Sequence, residues 1–446
     1  MENSRRDFVK KIGLGATALT IGGTAQGISA KSYSQILGAN TNLNFGVAGV
    51  HSRGLAHINA ILALKNITIG YICDVDSEVA EKAALIVEKA TGKKPKIYAD
   101  IRRLLEEKDL DVLSIATPDH WHAPMTILAV QAGKHVYVEK PVCHNLHEAE
   151  LLIELSKKYK NVVQYGCQGR SGLKNAQGVK DLQEGLIGDV YLAKAWYVSD
   201  RKGIGHGKKA DVPKRLNWDI FQGPAPREEY RDNVVHYNWH WFNTWGTGEL
   251  GNNGIHQLDA CRWALGIDYP EKVTSNGGRY HYADDWQFAD SQIVDYKFSN
   301  GLVVQWEGRS CNAYPVYDAP NGIMFSGTKG TIQILPENDK YVAFDMDNKI
   351  IKEFKGEEID DPNKMGGGAL DGQHFTNLVE TIRDGAVQHA PIAQGAISTS
   401  LCHLGNISQK LGRTLKVNPK TGKILDDVEA TRMSSRQYEP GWEPKV

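Results

Sequence analysis

Leu43-Asn44-Phe45-Gly46-Val47-Ala48-Gly49-Val50-His51-Ser52-Arg53-Gly54 is an apolar run that breaks into a glycine-bracketed turn. A short apolar run of this kind suits a strand covered on both faces, as in a parallel sheet. Gly49 and Gly54 bracket the start of a helix, whose free N–H groups and dipole favour phosphate. The usual dinucleotide spacing is G-x-G-x-x-G, and His51 stands at its middle position here. The next apolar run, Ile67–Cys73, ends at Asp74, twenty residues past Gly54. A carboxylate there can hydrogen-bond an adenosine ribose diol and repels a 2′-phosphate, so NAD is expected over NADP. Asp74 also reads as a charge at a helix N-terminus, a role that Asp76-Ser77 fills equally well. Gly49, His51, Ser52, Arg53, Gly54 and Asp74 are thus the first cofactor-binding candidates.

Working outward, Asp111–Ala116 is another buried strand, followed by the loop Thr117-Pro118-Asp119-His120-Trp121-His122. A helix over 123–132 leads to a strand over 135–138 and to Glu139-Lys140-Pro141; Val162–Gly166 is the last strand of the series. Alternating strands and helices make residues 42–166 a Rossmann-type, doubly wound parallel sheet. A lysine on a loop after a strand, beside a nicotinamide, can exchange a proton with a sugar hydroxyl. A lysine before a proline is also an ordinary solvated turn.

Residues 167–415 read differently. A helix over 172–184 precedes strands over 189–199, 271–279, 290–298, 301–308, 322–327, 330–335 and 340–345, with helices at 371–384 and 393–411. Their alternation predicts an α+β domain with a large open, mainly antiparallel sheet. A long insertion over about 200–250 is rich in Gly, Lys and aromatics and ends in His236-Tyr237-Asn238-Trp239-His240-Trp241-Phe242-Asn243-Thr244-Trp245. Loops of that length are usually functional or covered. Flat indole faces stack on sugars and amides bond hydroxyls, so Trp239 and Trp241 are substrate candidates; core packing is the competing reading. Residues 416–446 read as a polar, irregular tail.

The segment Ala132–Pro141, the glycine turn upstream and Gly254-Ile255-His256-Gln257-Leu258-Asp259 downstream together resemble the glucose–fructose oxidoreductase / inositol dehydrogenase / MocA (Gfo/Idh/MocA) family over about residues 42–415. The resemblance implies that Thr117, Pro118 and His122 line the cofactor with Glu139 and Lys140. It places the substrate in the crevice near Gln168-Gly169-Arg170, and a helix bearing His256 opposite the nicotinamide. Lys140 and His256 become the catalytic candidates; Arg170, Asn252 and Asp259 join the substrate set. Inositol dehydrogenases carry an Asp four residues before this His, where Asn252 stands here, and an amide takes no proton. Asp259 shares a helical face with His256 and also reads as a salt-bridge partner for Arg262 or a loop arginine. The expected activity is that of an NAD-dependent sugar oxidoreductase, a hydroxyl losing its proton to Lys140 or His256 and its carbon passing hydride to a tightly bound NAD. The first alternative is an NAD-dependent, redox-neutral glycoside hydrolase (oxidation, elimination, addition of water, reduction), whose relatives often replace the lysine. The second is a non-catalytic sugar-binding protein. Family precedent also implies a homodimer or homotetramer through the large sheet.

Composition agrees with a globular protein: 41% hydrophobic and 24% charged residues. A formal net charge of −1 argues against nucleic acid as a main partner. Six cysteines, at 73, 143, 167, 261, 311 and 402, form no C-x-x-C and no zinc spacing, so isolated thiols and no metal site are expected. Ser4-Arg5-Arg6-Asp7-Phe8-Val9-Lys10 before a mild apolar run, Ile12–Ile28, looks like a twin-arginine export signal and linker over 1–35. That route carries folded proteins, so cofactor loading before export to the periplasm is expected. An amphipathic N-terminal helix, or an arginine pair by chance, is the competing reading.

Overall fold

The computed structural model describes residues 42–354 and 368–446; the stretch read as an export signal lies outside the described residues. Strands β1 (Leu43–Ala48), β2 (Ile67–Cys73), β3 (Lys96–Tyr98), β4 (Val112–Ile115), β5 (His135–Val138) and β6 (Val163–Tyr165) form a parallel sheet ordered β3-β2-β1-β4-β5-β6. Helices α1 (Ser52–Leu62), α2 (Ser77–Thr91), α3 (Asp119–Gln131) and α4 (Leu146–Lys158) connect them. Strand order reverses between β1 and β4, which opens a crevice at their carboxyl ends. Asp76 caps α2, accepting from the amides of Glu78 and Val79, so Asp74 is not needed as the cap.

A helix, α5 (Leu173–Gln183), leads into the second half. Its strands are β7 (Val190–Val198), β8 (Lys272–Gly278), β9 (Ser291–Lys297), β10 (Val303–Arg309), β11 (Asn321–Gly327), β12 (Gly330–Leu335), β13 (Lys340–Asp345), β14 (Ile350–Phe354), β15 (Leu415–Val417) and β16 (Ile424–Leu425). They form one sheet, β14-β13-β12-β11-β7-β10-β9-β8-β15-β16, antiparallel except for the β7–β10 pair. In β12, Gly330, Ile332 and Ile334 are buried and the residues between them are half-buried, the two-residue period of a sheet with one covered face. Helices α6 (Ile255–Leu265), α7 (Gly368–Asp384) and α8 (Ile392–Leu411) follow in chain order. α8 packs on α4 and on β8, and α7 packs on α1, so the two sheets share one interior.

Two stretches differ from the sequence reading. The residues after 415 are not irregular: they add β15, β16 and a helix, Val428–Arg432. Beyond that helix, Arg436 pairs with Glu148 at 2.9 Å and Trp442 meets Trp121 edge-on at 5.1 Å. The insertion builds its own core from Leu216, Trp218, Phe221, Tyr230, Trp239, Phe242 and Trp245, packed against Val75 at the end of β2. Most of its aromatic content is therefore spent on packing. All six cysteines are free, and no described helix is long and apolar enough to cross a membrane.

Candidate functional site

The turn after β1 is possible only with its two glycines. Gly49 has φ +75°, and a Cβ there would lie 2.5 Å from the Ala116 carbonyl oxygen. A Cβ on Gly54 would sit 1.9 Å from the Gly49 carbonyl oxygen. His51 needs no such economy, because its side chain is exposed and its ring stacks on His236 of the insertion, centroids 4.9 Å apart. Asp74 accepts from the Val50 amide at 2.8 Å and the Asp76 amide at 2.9 Å. Burial raises its pKa, and these amides oppose the rise. Arg215 and His236 from the insertion both reach Asp76, at 2.8 and 3.0 Å.

A cavity runs from this turn to Lys140. Gly49, His51, Ser52, Arg53, Asp74, Thr117, Pro118, His122, Glu139 and Lys140 line it; so do Asn252 and Trp239. Gly54 lies beneath, in the first turn of α1. The cradle that side chains would fill at Gly49 and Gly54, and the carboxylate of Asp74 past the next strand, fit a dinucleotide. His122 lies between two carbonyls, Pro141 at 2.6 Å and Thr117 at 2.7 Å. Burial lowers its pKa, and a neutral ring donates to only one of them. Glu139 accepts from Arg53 at 2.7 Å and from Gln168 at 3.1 Å, and meets His57 at 3.0 Å. Burial pushes its pKa up, but Arg53 and His57 outweigh that and hold it well below the usual range. Arg53 also pairs with Asp371 of α7.

Lys140 is the shared wall. Its Nζ donates to the Asn252 carbonyl at 2.6 Å and to Asn252 Oδ1 at 3.3 Å. Asn252 lies in a π-helical turn, Leu250–Gly254, just ahead of α6; such turns recur at functional sites. Its Nδ2 faces Glu249, which Arg201 in turn holds at 3.1 Å. A second cavity on the other side of this wall is lined by Arg53, Glu139 and Lys140 again, with His256, Arg170, Asp259 and Trp263. Burial, then the charge of Lys140, lower the His256 pKa to about 3. A histidine held that low is neutral at physiological pH and a weak base, suited to hydrogen bonding with a hydroxyl.

Asp259 forms a two-point ion pair with Arg170, at 2.7 and 3.0 Å. It also accepts from Tyr165 and Ser398, both at 2.6 Å. Its carboxylate is thus held within the protein, and Arg262 turns instead to Asp268. Trp241 lines neither cavity: it is 1% exposed and stacks on Trp286 at 3.8 Å. In this structure the ring packs in the core. Sequence reasoning did not single out Asp119, Tyr237 and His240, which do line the first cavity. Their segments were recognised, but burial and aim are not written in local sequence.

Fold and site together define a dinucleotide-binding α/β protein with a sheet-built second domain. Residues 43–167 match the model of the oxidoreductase family's NAD-binding Rossmann fold, and residues 194–356 match that family's C-terminal alpha/beta domain. The chain belongs to the Gfo/Idh/MocA oxidoreductase family, and its first half is an NAD-binding Rossmann domain. Among curated proteins it is 28% identical to a glycosyl hydrolase family 109 protein of Parabacteroides distasonis, over 74% of this chain and 75% of the relative. It is 26% identical to an alpha-N-acetylgalactosaminidase of Tannerella forsythia, over 68% of each. Among solved structures, levoglucosan dehydrogenase in complex with NADH and levoglucosan superposes with a TM-score of 0.64 at 20% identity, over 84% of this chain and 99% of the other. The WlbA dehydrogenase of Bordetella pertussis, in complex with NADH and UDP-GlcNAcA, gives 0.62 at 18%, over 84% and 99%. At these identities the structures establish the fold.

Proposed function

We propose that this chain is an NAD-dependent oxidoreductase acting on a hydroxyl of a sugar or glycoside, with Lys140 as the proton-transfer group. The observation that carries the reading is the placement of Lys140 between two cavities, with Nζ held by the carbonyl and side-chain oxygen of Asn252. An ammonium has three N–H positions; Asn252 takes two, and the third is left for a substrate oxygen. Bound NAD supplies reversible acceptance of hydride from the oxidised carbon. Gly49, Gly54 and Asp74 would hold its pyrophosphate and ribose. Lys140 removes and returns the hydroxyl proton, and neutral His256 hydrogen-bonds the same or a neighbouring hydroxyl. Trp239, stacked on His240 at 3.6 Å, presents an aromatic wall for a sugar ring.

A second reading is favoured by the family 109 and alpha-N-acetylgalactosaminidase relatives. In it the oxidised sugar loses its substituent by elimination, takes up water and is reduced again, a net hydrolysis without loss of reducing equivalents. The retained Lys140 weighs toward the first. Purified protein mixed with a glycoside panel separates the two. A lasting rise in the reduced-nicotinamide band with a ketosugar product supports the oxidoreductase. Free sugar without added NAD and without a lasting rise supports the hydrolase. Neither signal, and no bound nucleotide, would leave a sugar-binding protein.

We also propose export to the periplasm by the twin-arginine route; unaltered export after Arg5→Lys and Arg6→Lys would remove that proposal. A homo-oligomer through the large sheet is proposed likewise, and a monomer by light scattering would exclude it.

A further inference from the structure

We propose that the insertion is a cover on the cofactor cavity, latched to the parallel-sheet half through His51 and Asp76, and that it keeps NAD bound from one turnover to the next. The residues lining the first cavity come from two sides. Gly49, Ser52 and Asp74 belong to the parallel-sheet half; Phe221, His236 and Trp239 belong to the insertion. The insertion is bonded to the sheet half on both flanks of the cavity. Beyond β2, the Ser77 amide donates to the Arg215 carbonyl at 2.9 Å, and the Asn217 amide donates to the Val75 carbonyl at 2.8 Å. At the start of α3, the Trp121 indole donates to the Phe221 carbonyl at 2.9 Å, and His120 Nε2 meets the same oxygen at 2.8 Å. A dinucleotide in this cavity is therefore roofed, and one flank has to part before it can exchange.

Two side-chain contacts hold the β2 flank. Asp76 is fully buried and divides its carboxylate. Oδ1 accepts the Glu78 and Val79 amides at the start of α2, while Oδ2 takes Arg215 Nε at 2.8 Å and His236 Nε2 at 3.0 Å. A buried carboxylate stripped of such partners is costly, so the closed position of the insertion is favoured. The second contact is the stack of His51 on His236, with centroids 4.9 Å and planes 12° apart. His51 stands where a dinucleotide turn ordinarily carries its middle glycine. A glycine offers no ring; the histidine gives the insertion a surface to land on. His236 serves both contacts at once and lines the cavity as well.

The α3 flank is the firmer of the two. Trp121 is 3% exposed there, the Glu439 amide of the C-terminal segment donates to the Pro224 carbonyl at 3.2 Å, and Trp442 packs edge-on against Trp121. The side chains of Arg215 and His236 are 42% and 21% exposed. Opening therefore begins at the β2 flank, where His51 and Asp76 hold the insertion down. NAD kept in this way is a resident group rather than a co-substrate that enters and leaves with each sugar.

The test is nucleotide exchange, which needs no sugar. Purified protein loaded with NAD is desalted and mixed with excess isotopically labelled NAD, and the bound fraction is followed by mass spectrometry. Wild type should keep its nucleotide through desalting and exchange it slowly. Arg215→Ala, which removes one charged partner of Asp76, should exchange about tenfold faster. His51→Gly, which restores the usual turn residue, should exchange about three- to tenfold faster, and the double variant faster than either. His51→Phe keeps a ring for His236 and should return exchange to near the wild-type rate, which general loosening of the turn would not do. Single variants that exchange as slowly as wild type overturn the proposal; so does a wild type that loses its NAD on desalting. If His51→Gly does not fold, His51→Phe and Arg215→Ala still decide. Slow exchange in a protein that turns over no sugar would support the cover while removing the oxidoreductase reading.

Discussion

Glu139 and Asp119 line the same cavity and are equally buried, 3% and 2% exposed, yet their surroundings are opposite. The Glu139 corner is an ion network. Arg53, His57 and Gln168 converge on the carboxylate, and Asp371 takes the other side of Arg53. The Asp119 corner offers the hydroxyl of Thr247 and backbone amides, and no cation within ion-pair distance among the described residues. Burial pushes both pKa values upward; only at Glu139 do neighbouring cations reverse the push. Burial alone therefore says little about a carboxylate's role. One paired with a cation is a fixed charge that braces the wall around Lys140, and one without a cation takes up a proton more readily.

The largest test of this contrast is Lys140→Met, which removes the group both corners flank. Turnover should fall by about 10²–10⁴-fold with bound nucleotide retained; a loss under tenfold in steady-state kinetics would take the proton-transfer role from Lys140. Next is Arg53→Ala, which strands two buried carboxylates, Glu139 and Asp371. Breaking a buried pair from one side costs about 3–5 kcal/mol, to be read from urea unfolding. Thr247→Val at the other corner removes a single hydrogen bond and should cost about 1–3 kcal/mol. Equal costs would erase the distinction.

Stability against pH sharpens it further. The folded pKa of Asp119 lies above its unfolded value, near 4. Its contribution is full below that value and is lost as pH rises through about 7. Glu139 has its folded pKa below the unfolded one, so its contribution is present above about 4.3 and lost only as pH falls further. Between pH 5 and pH 8, then, the Tm of wild type should decline relative to that of Asp119→Asn. Parallel curves would contradict the shift. The smallest expected effect separates two tryptophans: Trp239→Ala should raise KM for the sugar, whereas Trp241→Phe should leave KM within about twofold and cost only about 1 kcal/mol of stability. A raised KM for Trp241→Phe would return that ring to the substrate.

Much of the fold was legible because most strands of the two sheets carry their own pattern. β1 and β4 are short apolar runs, and β12 alternates buried and half-buried residues. β3 escaped notice because Lys96-Ile97-Tyr98 is a short edge strand with no buried residue, defined by its pairing with β2. β15 and β16 were hidden because they are too short to show a period; Leu415 and Val417 become a buried strand by pairing with β8 and β16. At the site, Gly49, Gly54, Asp74, Glu139 and Lys140 stand at recognisable spacings and all lie at one cavity or its floor. The burial of Trp241 and of Asp119 was not legible, since an indole or a carboxylate carries no local mark of what will cover it.

The sequence by itself determined the order of strands and helices, the glycine turn, and which residue types stand after β1, β2 and β5, because turn geometry and hydrophobic period are properties of a few neighbouring residues. The tertiary structure decided what surrounds them. Glu139 is a fixed charge because Arg53 reaches it from α1, with Asp371, 318 residues further along the chain, holding the other side of that guanidinium. Asp119 is not, because the segment that covers it brings Thr247 and no cation. Charge state depends on burial and on partners, and both come from parts of the chain that only folding brings together.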